Sequence, residues 1–181
     1  MEKLYVTYAD VHALVAKTAA AILATDWRPD LIVAVASGGF VPARIFRTYL
    51  QKEIHVVSLK RYPDRSGESP TAVPVKVQWL EDPVRVLAGK RVLVVDEVDD
   101  TRVTLGYCVR ELLKAKPAEI RVAVLHQKRK PKESDYPAAV AVVYEGAAIP
   151  DVWIKYPWDA VDQAEHERLA AAQRADAAPG A

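Results

Sequence analysis

The sequence predicts an α/β fold in which a mostly parallel, twisted sheet is flanked by helices. Three observations carry that expectation. Apolar runs of strand length, "LIVAVA" at Leu31–Ala36 foremost, are continuous rather than alternating, as in strands buried on both faces. Segments with apolar residues at helical spacing lie between those runs. Strand and helix patterns also alternate along the chain, the order that parallel βαβ units require.

Taken in order, residues 8–25 place Val11, Leu14, Val15, Ala19 and Ile22 at helical spacing, giving one buried stripe. "DWRPD" breaks that helix before the strand Leu31–Ala36. After "SGG", Val41, Ile45, Phe46 and Leu50 return to helical spacing, and "IHVVSL" (54–59) is a second strand. Residues 60–71, "KRYPDRSGESPT", are rich in Pro, Gly, Ser and charge and predict a mobile loop. "VPVKVQWL" alternates Val73, Val75, Val77 and Trp79 as a strand bordering that loop. "RVLVV" (91–95) is the next buried strand and residues 101–115 the helix after it. "IRVAVLH" (120–126) and "AVAVVY" (139–144) supply two more strands, joined by the basic turn "QKRKPKESDYP". By composition that turn is solvated. One domain is expected over 1–159, with an Ala-rich tail over 160–181, helical and fraying into disorder.

The chain has 181 residues, 51% of them apolar and 27% charged, which describes a globular domain with room for a full core. A formal charge of +1 gives no bulk electrostatic reason to bind nucleic acid or an anionic membrane. The single cysteine, Cys108, can form neither an internal disulfide nor a cysteine metal cluster, which fits a reducing cytosol. "MEKLYVTYAD" is too polar for a secretory signal, and no apolar run approaches the roughly twenty residues of a membrane span. A cytoplasmic protein without membrane or nucleic-acid partners is the expectation.

In such sheets ligands bind beyond the carboxyl ends of the strands. There the chain places Asp96 and Glu97 directly after an apolar run, then Asp99, Asp100 and "TRVT" (101–104). A helix starting near Thr101 would offer unpaired backbone N–H groups and two hydroxyls to a phosphate. Helix capping accounts for one carboxylate, but not for acids that begin at the end of a buried strand. Acceptors for hydroxyls or a cation therefore sit beside donors for an anion. After the first buried strand, Ser37, Gly38 and Gly39 let the backbone approach a ligand closely.

"VLVVDEVDDTRVTL" resembles the phosphoribosyl-diphosphate (PRPP) signature of the type I phosphoribosyltransferases, closest to their xanthine-guanine and xanthine (6-oxopurine) members. The resemblance implies that fold, with a small C-terminal hood at about 145–159 and a mobile loop over the site. It implies that Asp96 and Glu97 hold the ribose hydroxyls and the shell of a Mg2+ cofactor, that Asp100 is the general acid/base near purine N7, and that Thr101, Arg102, Val103 and Thr104 cradle the 5′-phosphate. Family members usually carry glycine where Arg102 and Val103 stand, so the loop is expected to avoid conformations reserved for glycine. Asp99 is expected to face outward. "SGG" resembles the pyrophosphate loop, with Ser37 where many members have Arg or Lys. Lys128 matches the lysine that reads the purine 6-oxo group. "IPDVWIKYPWD" resembles the purine hood, with Trp153 stacking on the base, Ile154 offering backbone groups to its edge and Asp159 approaching the metal. Trp158 is read as core. Arg61, Tyr62 and Arg65 are the loop residues able to reach pyrophosphate. The implied partners are PRPP and a 6-oxopurine base, in a homodimer or homotetramer. The alternatives are a non-catalytic PRPP- or nucleotide-sensing regulator that binds nucleic acid, and a phosphoribosyltransferase for another base.

Overall fold

Alternate residues of the strand β2 (Leu31–Ala36) enter two different apolar clusters, one on each face of a sheet. Leu31, Val33 and Val35 face one cluster, and Ile32 and Ala34 the other. Its neighbour β5 (Arg91–Asp99) does the same, with Val92 and Val94 on one side and Leu93 and Val95 on the other. This is why both runs are continuously apolar: a strand covered on both faces has no solvent side. The structure, a computed structural model, describes residues 2–61, 73–140 and 142–177.

Among the described residues the elements run β1 (Lys3–Tyr5), α1 (Tyr8–Leu23), β2, α2 (Phe40–Leu50), β3 (Ile54–Lys60), β4 (Val75–Gln78), α3 (Pro83–Leu87), β5, α4 (Val103–Leu113), β6 (Glu119–Lys128), β7 (Val143–Ile149), β8 (Trp153–Lys155), a 3-10 turn Pro157–Asp159 and α5 (Gln163–Ala177). Six strands form one sheet in the order β4-β3-β2-β5-β6-β7, parallel except for β4. From β2 the chain winds outward through α2 to β3; from β5 it winds the opposite way through α4 to β6. The crevice between the carboxyl ends of β2 and β5 is therefore the topological switch point, where open α/β sheets bind ligands. The α/β expectation holds. Of the predicted loop 60–71, Lys60 ends β3, and residues 62–71, with Tyr62 and Arg65, lie outside the described residues.

Several boundaries differ from expectation. β5 continues through Asp99, pairing Asp96 with Val124 and Asp99 with Gln127 of β6, so these acids stand on the strand rather than in a turn. α4 consequently starts at Val103. β7 occupies 143–149 rather than 139–144, because residues 137–140 close a turn in which Val140 N–H donates to Pro137 O at 2.9 Å. β4 is exposed at every position, so its alternation does not mark a buried face.

The two ends of the chain meet. β1 pairs in parallel with β8, matching Lys3 to Trp153 and Leu4 to Ile154. On the other edge of β1, the Gln173 side chain of α5 accepts from Tyr5 N at 2.9 Å and donates to Lys3 O at 2.6 Å. His166 Nε2 bonds Val6 O at 2.8 Å, and Arg174 pairs with Asp10 at 2.6 Å. The Ala-rich tail thus contains a helix docked on β1, with Ala170 buried. Among the described residues no helix is long and apolar enough to cross a membrane.

Candidate active site

The site is built where β2 and β5 end. The Ala36–Ser37 peptide bond is cis, and Gly39 N–H donates to Val35 O at 2.9 Å, turning the chain at once into α2. A Cβ on Gly39 would lie 2.5 Å from Val35 O and 2.6 Å from Val95 O, both backbone atoms that cannot move aside. A Cβ on Gly38 would overlap the Glu97 carboxylate, so the glycine pair lets β2's end and β5's acids occupy one small volume. Ala36, Ser37, Gly38, Asp96, Glu97, Asp100, Thr101, Arg102 and Thr104 line a cavity of about 300 Å³, with Arg61 from the end of β3 on its wall.

Asp96 is buried, and its carboxyl is held well above the usual range, first by burial and then by the neighbouring Glu97 charge. Glu97 Oε2 is closed off from solvent and has no hydrogen-bond partner. Two crowded carboxylates, one with an orphaned oxygen, are the donor set that a hard divalent cation completes. No group of three such ligands is gathered among the described residues, so a cation here draws its remaining ligands from a bound molecule or water. Asp159, in the 3-10 turn, lies with Tyr5, Lys155 and His166 on a separate cavity and is not gathered with Asp96 and Glu97.

The acidic strand end is fixed from behind. Tyr156 Oη donates to Glu97 O at 3.0 Å, so its other contact, with His126 Nδ1 at 2.9 Å, makes Nδ1 the protonated nitrogen. Burial lowers the His126 pKa to about 4, keeping the ring neutral. Tyr156 in turn stacks on Trp158 with ring centroids 4.6 Å apart, which confirms the packing role expected for Trp158.

Two expectations for the phosphate loop are overturned. Asp99 does not face outward: it is wholly buried, with Arg102 Nη2 at 2.8 Å and Lys132 Nζ at 3.6 Å. The loop does not avoid glycine-like backbone either, since Arg102 has φ 68° and ψ 0°. Its guanidinium is largely turned away from solvent, although Arg102 lines the cavity. It is held by Asp99 and lies over the Tyr136 ring at 4.5 Å. Lys132 Nζ donates to the carbonyls of Asp99, Asp100 and Lys128 at 2.7–2.9 Å, tying the ends of β5 and β6 together.

The basic turn is solvated only in part: Arg129 and Glu133 are exposed, but its lysines are not free in water. Lys128, the last residue of β6, is buried and lies 3.4 Å from Asp100 Oδ1 and 3.2 Å from Asp151 Oδ1. Lys130 contacts the same two oxygens at 2.8 and 3.1 Å. Arg61 donates to Thr101 Oγ1 at 3.0 Å and pairs with Glu133 at 2.7 Å. Trp153 remains 54% exposed, with Lys155 Nζ over its ring 6.0 Å from the centroid. Trp153 N–H bonds Glu2 O and Lys155 O accepts from Val6 N–H, so the N–H and C=O of the intervening Ile154 turn to the opposite edge of β8.

The profile of the phosphoribosyl transferase domain matches residues 7–160. The chain belongs to the phosphoribosyltransferase family. Within that family it is 38% identical over 192 residues to the hypoxanthine-guanine phosphoribosyltransferase of Schizosaccharomyces pombe, covering 91% of this chain and 93% of the relative. It is 37% identical over 205 residues to xanthine phosphoribosyltransferase 1 of Saccharomyces cerevisiae, covering 97% and 98%. A Neisseria gonorrhoeae protein solved with bound ppGpp is similar at 44% identity and a TM-score of 0.86, over 95% of this chain and 97% of that one. The chain is thus homologous to 6-oxopurine phosphoribosyltransferases, and α5 extends beyond the family match.

Against this phosphoribosyltransferase frame, the expected residues divide into two groups. Ser37, Gly38, Asp96, Glu97, Asp100, Thr101, Arg102 and Thr104 share the cavity, while Gly39, Val103, Lys128, Trp153 and Ile154 lie outside its lining, Lys128 joined to it through Asp100. Sequence reading missed Tyr136, Tyr156 and Asp151, and gave Lys130 and Lys132 no place. No periodic signal covers Lys130 and Lys132, because β6 ends at Lys128 and both stand in the turn after it.

Proposed function

We propose that the chain transfers the 5-phosphoribosyl group from PRPP to N9 of a 6-oxopurine (xanthine, guanine or hypoxanthine), releasing the nucleoside 5′-monophosphate and pyrophosphate. The observation that carries this reading is the pairing of Asp100 with Lys128, a carboxylate and an ammonium 3.4 Å apart beside the cavity. N7 and O6 of a 6-oxopurine lie on one edge of the base, and that pair complements them. An ammonium donates only, so it meets the 6-oxo acceptor and repels the 6-amino donor of adenine. The two relatives named for hypoxanthine, guanine and xanthine point to the same class of base.

Ser37, Gly38 and Gly39 receive the pyrophosphate, and the backbone N–H groups at the start of α4 with Thr101 and Thr104 receive the 5′-phosphate. Asp96 and Glu97 bind the ribose hydroxyls and hold Mg2+, which when bound neutralises charge on the leaving pyrophosphate. Trp153 covers the base, and the outward backbone of Ile154 meets its edge. As N9 bonds to C1 of the ribose and the C1–pyrophosphate bond breaks, Asp100 takes the N7 proton. The chain contributes position and charge rather than a covalent intermediate. Titration with GMP and with AMP, read by tryptophan fluorescence, tests the base class. GMP should quench the signal, AMP much less, and Trp153→Phe should abolish the difference. Equal responses to both nucleotides contradict it.

One observation favours a second, regulatory use of the same cavity: the 44%-identical Neisseria protein holds ppGpp. A guanine nucleotide bearing two diphosphates offers the same base edge and the same anionic groups as the substrates. In this reading ppGpp inhibits by competing with PRPP, and inhibition that extra PRPP does not relieve rejects it. The homodimer or homotetramer expected for the enzyme is read by sedimentation.

A further inference from the structure

The charges nearest Asp100 form a closed set of four. Lys128 and Lys130 each touch both Asp100 and Asp151, at distances from 2.8 to 3.4 Å, and all four contacts converge on one oxygen of each carboxylate. The lysine heads are the enclosed members: the side chains of Lys128 and Lys130 are 8% and 23% exposed, those of the two aspartates 42% and 43%. Asp151 stands two residues before Trp153, at the entry to β8, and belongs to neither the cavity lining nor the expected site. Lys128 and Lys130 donate hydrogen bonds to Asp151 Oδ1 at 3.2 and 3.1 Å. Asp100 Oδ1, by contrast, is screened from solvent and has close cations without an aligned hydrogen bond.

This difference assigns distinct tasks to the two carboxylates. We infer that Asp151 is a positioning residue for the purine: it draws the Lys128 ammonium toward β8, leaving the second Asp100 oxygen, Oδ2, on the exposed side of that carboxylate for N7 and Lys128 a proton for the 6-oxo group. Lys130 supplies the second positive charge that lets two carboxylates stand this close. Without Asp151, both ammonium groups turn to Asp100, and the carboxylate meant for the base is occupied by its own neighbours. The inference rests on the purine reading above. It adds that specificity for the base is set partly by a residue that never touches it.

Asp151 lies at the surface, so its replacement uncovers no core. The test is steady-state kinetics of wild type, Asp151→Asn and Asp151→Glu, varying the 6-oxopurine and PRPP separately. Asp151→Asn should raise the KM for the base roughly tenfold while the KM for PRPP moves less than about twofold, because only the base edge is disturbed. Asp151→Glu, which restores the negative charge, should recover most of that loss. An unchanged base KM in Asp151→Asn overturns the inference alone, as does a parallel rise in both KM values. A wild-type chain inactive with every purine overturns the purine reading, and this inference with it.

Discussion

Arg102 Nη2 reaches the fully buried Asp99 Oδ2 at 2.8 Å while the Arg102 backbone sits at φ 68°, a conformation that glycine adopts most readily. The side chain that makes this backbone costly also anchors it, through Asp99 and the Tyr136 ring. Arg102→Ala keeps the strained backbone and takes the hydrogen-bonded guanidinium from a buried carboxylate, leaving it Lys132 at 3.6 Å, and should cost about 3 kcal/mol in denaturant unfolding. Arg102→Gly removes the same partner but relieves about 1 kcal/mol of left-handed strain, so it should cost less. Adding Asp99→Asn to Arg102→Gly should recover further stability. An Ala variant more stable than the Gly variant contradicts the account.

The two glycines of the β2 turn should respond differently to a methyl group. Gly39→Ala meets fixed carbonyls of Val35 and Val95 and should destabilise the fold by about 2 kcal/mol or more. Gly38→Ala meets only the flexible Glu97 carboxylate, so folding should survive while PRPP binding weakens. Thermal melts with PRPP titrations separate the two outcomes.

His126 gives stability a defined pH dependence. Its folded pKa is about 4, below the ordinary 6.5, because burial penalises the charged ring. The unfolded chain therefore takes up a proton that the folded chain refuses, and stability falls as pH drops from 6.5 toward 4. The full shift is worth up to about 3 kcal/mol. Asp96, held above its usual range, acts in the opposite direction, and subtracting the His126→Gln variant from wild type cancels it. Unfolding free energies between pH 4 and 7 should show a gap between the two proteins that narrows steadily with acid. A gap independent of pH contradicts the buried neutral ring.

Removing residues 163–181 deletes Gln173 from the free edge of β1 and Arg174 from Asp10. Since β1 pairs with β8, which carries Trp153, the loss should pass to that residue. The truncated chain should melt at lower temperature and show a higher KM for the base, with PRPP binding largely retained.

Much of this arrangement was legible in the sequence. The continuous runs of β2 and β5 declared a doubly covered sheet, and the acids after Val95 marked its functional end. What stayed hidden depended on partners distant in the chain. Asp99 read as a spare acid because Lys132 and Tyr136, which bury it with Arg102, come from the turn after β6. Asp151 had no role until folding set it against Lys128 and Lys130. The tail read as fraying because its anchors are single side chains, Gln173 reaching the edge of β1 and Arg174 the first turn of α1, more than 160 positions away.

The most direct measurement is nucleotide formation by the purified chain with PRPP, Mg2+ and each of xanthine, guanine, hypoxanthine and adenine. The account predicts a nucleoside monophosphate and equimolar pyrophosphate from at least one 6-oxopurine, little from adenine, and a far greater loss of turnover than of PRPP affinity in Asp100→Asn. No product with any 6-oxopurine, or adenine as the preferred base, would contradict it.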